Sequence, residues 1–175
     1  MRISKLLGSL GFLGMWLALV PHQALASPPT SDTKIDAVIL MLLGYHDGSP
    51  QFSKLGEGNY SFDRDIPASL RVFESQPCVF QMTSAAPEHG TTTIVFHAAL
   101  VDTVTYDPIG TDQDGPIHSY SLRVVGRPGL QTDADGVPGR YFERSMIETD
   151  KSLAELQANA KFLTEQACPP TARSR

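Results

Sequence analysis

Basic residues are scarce in this chain. It has 14 Lys and Arg against 19 Asp and Glu among 175 residues, a formal net charge of −5. Binding to the phosphate backbone of a nucleic acid depends on clustered Lys and Arg side chains. The shortage of such residues excludes nucleic acid from the expected partners. The acidic balance identifies no other partner, because net charge of one sign mainly keeps a protein in solution.

Recognisable catalytic and metal-binding motifs are also lacking. The sequence contains no Gly-x-Ser-x-Gly turn, no Walker loop, no dinucleotide-binding glycine pattern and no His-Glu-x-x-His. Short zinc-ligand spacings such as His-x-x-x-His and Cys-x-x-Cys are missing as well. We therefore predict no cofactor and no metal, and we expect any catalytic site to be assembled only by the fold.

Cysteine occurs only at Cys78 and Cys168. In an oxidising compartment such an isolated pair most simply forms one structural disulfide, whereas a redox-active pair usually has closer spacing. Cys78 begins a predicted strand and Cys168 follows a predicted C-terminal helix, so the bond would join that helix to the sheet. A loop of about 90 residues closed in this way stabilises a fold by roughly 4 kcal/mol.

The longest apolar run lies at the amino terminus. Arg2 and Lys5 precede an apolar segment over residues 6–20, which is followed by Pro21 and a small-residue triplet at 24–26. This pattern is typical of a secretory signal peptide cleaved after Ala26. The alternative is an uncleaved membrane anchor, but the segment contains three glycines and is shorter than the roughly 20 residues that cross a bilayer.

Cleavage at that point leaves 149 residues with 12 basic and 19 acidic side chains, a formal charge of −7. That length suits one domain. We expect an exported protein, in a bacterial periplasm or outside the cell, with no stable membrane insertion after signal cleavage. Residues 1–26 are then the signal peptide, 27–33 a mobile lead-in, 34–170 a single α+β domain, and 171–175 a disordered tail.

The hydrophobic pattern predicts the order helix, several strands, helix. Residues 35–43 are almost wholly apolar and end at Gly44, which favours a buried helix over the alternative of a central strand. Alternating apolar residues over 59–64, 69–75, 78–83, 118–126 and 140–149 predict strands. Leucines and alanines spaced at three and four from Leu153 onward predict an amphipathic helix, with a capping box formed by Ser152 and Glu155.

The longest predicted strand covers residues 92–107 and is interrupted by Asp102, which predicts a bulge or a bend. Short turns between strands imply antiparallel pairing. We predict a single-domain α+β fold with an antiparallel β-meander of about four to five strands. An N-terminal buried helix and a C-terminal amphipathic helix would pack on one face of that meander.

Two similar phrases, TDQDG at residues 111–115 and TDADG at 132–136, suggest either calcium loops or turns. Neither has the glutamate that closes a calcium-binding loop at the required position. Asp-Gly pairs are favoured in tight turns. We therefore predict two turns at opposite ends of the strand between them, with weak independent calcium binding as the alternative.

Five residues are candidates for a site: His46, Asp47, His97, Asp102 and His118. The segment 44–48 (GYHDG) places an imidazole beside a long loop, although His46 also suits the negative end of a helix and Asp47 a simple turn. The aromatic residues Tyr45, Tyr60, Phe62 and Tyr106 either line a ligand groove or belong to the core.

Two classes of function are compatible with these features. The first is a small soluble non-catalytic module that binds an unidentified protein, glycan or small ligand by a sheet face or an edge strand. The alternative is a small secreted hydrolase or metal-assisted enzyme. That alternative requires His46 to meet His97, Asp102 or His118 in a common cleft.

Overall fold

The computed structural model describes residues 28–49, 51–56, 58–62, 68–87, 90–110, 115–132 and 136–170. The predicted signal peptide, residues 1–26, and the predicted tail, residues 171–175, lie outside the described residues. No helix within the described ranges is long and apolar enough to cross a membrane. These ranges form two α-helices and ten strands.

The first apolar segment forms helix α1 (Ser31–Leu43). The hydroxyl of Thr30 accepts a hydrogen bond from the Thr33 amide at its start, and Gly44 ends it with a φ of 78°. The predicted helix is confirmed, although it begins within the segment expected to be a mobile lead-in. Helix α1 contacts the strands Ala68–Gln76 and Tyr141–Thr149 and the second helix, so it is buried on several sides. This burial explains the continuous apolar run.

Seven strands form a large antiparallel sheet with the order β1-β2-β3-β4-β5-β8-β9. Their bounds are β1 (Phe52–Gly56), β2 (Asn59–Phe62), β3 (Ala68–Gln76), β4 (Val79–Ala86), β5 (Gly90–His97), β8 (Gln131–Thr132) and β9 (Pro138–Gly139). The first five strands are joined in chain order, as expected for a meander. Alternate residues of β2 to β5 face the core, as the alternating sequence pattern predicts.

Three strands form a small antiparallel sheet with the order β10-β7-β6. They are β6 (Val101–Pro108), β7 (His118–Gly126) and β10 (Tyr141–Thr149). The predicted long strand is divided here, because a 3₁₀ turn (Ala98–Leu100) carries the chain from β5 in one sheet to β6 in the other. The expected irregularity at Asp102 is confirmed as a register shift between Val101 and Thr103.

The second helix, α2 (Leu153–Lys161), begins with the predicted capping box of Ser152 and Glu155. A π-helical turn (Phe162–Ala167) follows it and ends at Cys168. Cys168 forms a disulfide with Cys78, and their Cα atoms are 5.5 Å apart. The disulfide therefore joins the end of this helical segment to the turn between β3 and β4.

The structure confirms an antiparallel fold with two helices and corrects the rest of the predicted architecture. The prediction of four to five strands in one meander is wrong, since the described residues form ten strands in two sheets. The two helices also do not share one face of one sheet. Helix α1 contacts β3 of the large sheet and β10 of the small sheet, whereas α2 contacts α1 and β6. Alternating residues identify a strand but not the sheet that it joins.

Candidate ligand-binding site

A cleft of about 410 Å³ opens between the large sheet and strand β10 of the small sheet. Its lining is mainly apolar, with a few polar residues: Leu43, Tyr45, Phe62, Ala68, Leu70, Met82, Ser84, Thr92, Ile94, Phe142, Glu143 and Arg144. Pockets that bind small molecules commonly have volumes of about 300–1,000 Å³ and a predominantly apolar lining. The cleft meets both criteria.

The floor of the cleft becomes more polar along the paired strands β4 and β5. Three successive cross-strand pairs share the inner face of the large sheet, namely Phe80 with Phe96, Met82 with Ile94, and Ser84 with Thr92. Both phenylalanines are fully buried, Met82 is buried, Ile94 is partly buried, and Ser84 and Thr92 are exposed. The cleft therefore has an apolar inner end and a mouth lined by hydroxyl groups.

Strand β10 forms the opposite wall and presents different chemistry on its two faces. Phe142 is buried and meets Phe96 edge to face, with ring centroids 6.3 Å apart. Arg144 has the same parity along the strand as Phe142, so both side chains are on the inner face. Glu143 has the opposite parity, and its carboxylate accepts a hydrogen bond from Arg123 at 2.8 Å. Arg144 is partly buried, while Glu143 and Arg123 are largely exposed.

Tyr45 separates this cleft from a smaller pocket. Its ring stacks on Phe52 with centroids 5.3 Å apart and lies against Phe62 at 5.1 Å. Gly44 places Tyr45 there, because a Cβ on Gly44 would lie 3.0 Å from the carbonyl oxygen of Glu148. Glycine also adopts the positive φ of this position at low cost. The end of α1 is thereby held close to β10.

The smaller pocket has a volume of about 210 Å³. It is lined by Tyr45, Ser49, Gln51, Ile117, Glu148, Thr149 and Asp150. Its volume is below the usual range for small-molecule sites. Between these two pockets, the cleft of about 410 Å³ is therefore the better ligand site on volume.

His46 lies at the same end of the molecule and is held by two acceptors. Its Nε2 is 2.6 Å from Oδ1 of Asp150, and its Nδ1 is 2.7 Å from the carbonyl oxygen of Asp47. Burial raises the pKa of Asp150, but the hydrogen bond and charge of His46 outweigh that effect and hold the pKa below its usual range.

The remaining site candidates lie in separate places. His118 is paired across the strands with Thr149, and its ring is 6.2 Å from that of Tyr120. Asp102 lies near the other end of β7, beside the pair of Val101 and Gly126. The nine residues of β7 span about 27 Å at roughly 3.4 Å per residue. His118 and Asp102 therefore do not share a cleft.

His97 ends β5 and is paired with Val79 in the large sheet. Among the described residues, His46 makes its hydrogen bonds with Asp47, Ser49 and Asp150 rather than with His97, Asp102 or His118. Asp47 contributes its backbone carbonyl to this arrangement, while the residue itself is exposed. Within the described ranges no group of three His, Cys, Asp or Glu residues is arranged to hold a metal ion.

The two Asp-Gly phrases belong to different sheets. The first lies between β6 and β7 of the small sheet, and the second lies between β8 and β9 of the large sheet. They are therefore not consecutive turns of one meander, and the expectation that a single strand separates them is wrong, because β7 and β8 both lie between them. Their aspartates, at positions 112, 114, 133 and 135, lie outside the described residues.

The aromatic residues divide between the two predicted roles. Tyr45 and Phe62 line the cleft, whereas Tyr60 and Tyr106 are buried and donate hydrogen bonds to Asp36 and to the Met41 carbonyl. Burial raises the pKa of both buried phenols well above the ordinary value. Nothing in the sequence marks Ile94 or Arg144 as site residues, because their only signal is their parity along a strand.

No protein-family model, curated protein or solved structure matches this chain. A class can still be defined from the fold and the cleft: a disulfide-linked antiparallel α+β domain with a small apolar pocket between two sheets.

Proposed function

We propose that this chain is an exported, non-catalytic module that binds a small apolar molecule in the cleft between its two sheets. The observation that supports this proposal is the lining of the cleft, which combines an apolar inner end with a few polar groups at the mouth. Buried apolar surface contributes roughly 25 cal/mol per Å² to binding before the costs of association. A small apolar ligand gains most from such a site.

Export is supported by two independent features. The amino terminus has the pattern of a signal peptide. Cys78 and Cys168 form a disulfide, and stable disulfides belong mainly to oxidising compartments. We place the protein in the periplasm or outside the cell.

Catalysis is less well supported than binding. A general base needs a nitrogen that accepts a proton from the substrate. Both ring nitrogens of His46 are already directed at acceptors, and its nearest carboxylate partner is Asp150 rather than Asp102. The enzyme hypothesis required a partner among His97, Asp102 and His118, and none of them hydrogen-bonds to His46 in the part of the chain described here.

A matched pair of tryptophan variants tests the proposal. Ile94 lines the cleft, and Thr93 is the adjacent residue on the opposite face of β5. Ile94→Trp fills the cleft, while Thr93→Trp adds the same side chain outside it. The probe is N-phenylnaphthylamine, a neutral apolar dye whose fluorescence rises when it leaves water.

We expect the wild-type protein and Thr93→Trp to bind the dye with similar affinity and Ile94→Trp to bind at least tenfold more weakly. Thermal unfolding of all three proteins controls for loss of the fold. Equal binding by both variants would place the dye elsewhere, and no binding by the wild type would remove the proposal.

A further inference from the structure

Tyr45 stands between the cleft and the smaller pocket. Among the described residues it is the one residue that lines both. Both pockets also adjoin β10, the cleft at residues 142–144 and the smaller pocket at residues 148–150. Positions 144 and 148 are at most about 14 Å apart at roughly 3.4 Å per residue of a strand. The two pockets therefore follow one another along β10, with the ring of Tyr45 as the wall that they share.

Other aromatic rings hold the ring of Tyr45 in place. Phe52 stacks on Tyr45 and also on Tyr60, with centroid distances of 5.3 and 4.9 Å and interplanar angles of 8° and 14°. All three residues are buried. The backbone is fixed as well, because Gly44 packs against the Glu148 carbonyl. A ring packed in this way moves only at the cost of these contacts, so Tyr45 is a rigid wall of the cleft.

The volume on the cleft side of this wall limits how much of a ligand is buried. An apolar cavity of about 150 Å³ holds one benzene molecule. At the same packing, the cleft of about 410 Å³ holds roughly 16 carbon atoms, and the smaller pocket of about 210 Å³ holds roughly eight more. A ligand longer than the cleft projects from its mouth into water.

We propose, on the basis of the binding function proposed above, that Tyr45 sets the length of ligand that the cleft buries. The ligand is then an elongated apolar molecule of which roughly 16 carbon atoms are covered. The affinity stops rising once such a ligand reaches the ring. The smaller pocket takes no part in binding while the ring is present. Tyr45 is a specificity-determining residue in this arrangement.

A series of rigid rods measures this length. Stilbene, diphenylbutadiene, diphenylhexatriene and diphenyloctatetraene are uncharged fluorescent molecules, and each is longer than the one before by two carbon atoms. Their binding to the unmodified protein is followed by fluorescence anisotropy. Affinity rises about fourfold for each buried carbon, so each step should raise it roughly tenfold until the cleft is full. We expect no further rise beyond diphenylbutadiene, whose size is nearest to the capacity of the cleft.

Substitutions of Tyr45 assign the limit to its ring. Tyr45→Ala opens the wall, so the affinity should continue to rise as far as diphenyloctatetraene. Tyr45→Phe is the matched control, because it keeps the ring and should keep the limit of the wild type. Ile117→Trp fills the smaller pocket, which Ile117 lines. By itself it should change nothing, and combined with Tyr45→Ala it should restore the limit.

The outcomes separate this inference from the proposed function. An affinity that rises up to diphenyloctatetraene in the wild type, or the same limit in Tyr45→Ala as in the wild type, would overturn the role of Tyr45. A limit that moves in Tyr45→Phe would overturn the role of the ring. If the wild type binds none of the rods, the proposed function itself fails. If Tyr45→Ala does not fold, Tyr45→Leu replaces it, since leucine removes the ring and keeps an apolar side chain.

Discussion

The disulfide between Cys78 and Cys168 is expected to carry a large share of the stability of this fold. Reduction with dithiothreitol breaks the bond without changing any other atom of the side chains. The bond anchors the π-helical turn at the end of α2 to the turn between β3 and β4. Without it, the C-terminal segment is held by its packing against α1 and the neighbouring elements and by a hydrogen bond from the Asn159 side chain to the Ala37 carbonyl.

The expected magnitude follows from the separation of 90 residues between the two cysteines. In the chain-entropy description, closing a loop of that length lowers the entropy of the unfolded chain and stabilises the fold by about 4.6 kcal/mol at 25 °C. With a urea dependence of about 2 kcal/mol per molar, the unfolding midpoint should fall by about 2.3 M on reduction. Native proteins commonly have only 5–15 kcal/mol of total stability, so the reduced form should be marginal.

The assay is urea unfolding of oxidised and reduced protein, followed by far-ultraviolet circular dichroism. A Cys78→Ala, Cys168→Ala double variant is the control, because its unfolding midpoint should be low and should not respond to dithiothreitol. A shift on reduction below about 0.5 M, which corresponds to about 1 kcal/mol at the same urea dependence, would contradict a large contribution of the disulfide to stability. The C-terminal segment would then be held mainly by packing.

Two further predictions concern charged groups outside the cleft. Burial raises the pKa of Glu74, but hydrogen bonds from Lys34 and the Cys78 amide outweigh that effect and hold the pKa below its usual range. The charged carboxylate of Glu74 therefore stabilises the fold above the ordinary pKa of glutamate. This stabilisation is lost as the pH falls through the lowered pKa of the folded protein. Glu74→Gln should therefore lower the free energy of unfolding by about 1–3 kcal/mol near neutrality and by progressively less in acid. A difference in urea midpoints between the variant and the wild type that does not change with pH would contradict this. Asp150→Asn should cost less than about 1 kcal/mol, because the Asp150 side chain is 37 % exposed. It should leave dye binding in the cleft unchanged, and a large loss of binding would show that the His46 end of the molecule belongs to the site.

Several local features of the fold were predictable from the residues that form them. The apolar run before Gly44, the capping box at Ser152 and the interruption at Asp102 each act over a few residues, and the structure contains the helix, the cap and the bulge that they predict. The disulfide was predictable as well, because two cysteines allow one pairing. Local signals of this kind need no knowledge of distant neighbours.

The number of sheets was not predictable in the same way. The turn at Ala98–Leu100 interrupts what the sequence presents as one alternating strand, and it carries the chain from β5 to β6 in another sheet. Alternating apolar residues are equally satisfied in either sheet. The short strands β8 and β9, two residues each, have no sequence signal strong enough to distinguish them from a loop.

The candidate site was not predictable from local sequence signals either. His46 is a site candidate by its residue type, but in the structure it hydrogen-bonds to Asp150, which is 104 residues away in sequence. The cleft is formed instead by residues such as Ile94 and Arg144, whose types are ordinary for strands. Ile94 and Arg144 line the same cleft only because β5 and β10, which are distant in sequence, lie on opposite sides of it.

Composition and neighbouring residues account for the local elements, the acidic charge, the cysteine pair and the expectation of export. Tertiary contacts account for the division of the strands between two sheets, for the cleft between β10 and the large sheet, and for the inward position of Arg144 rather than Glu143. Those features arise from the packing of distant segments against one another. The order of residues along one strand specifies its two faces, but the partner that each face meets is decided by the fold.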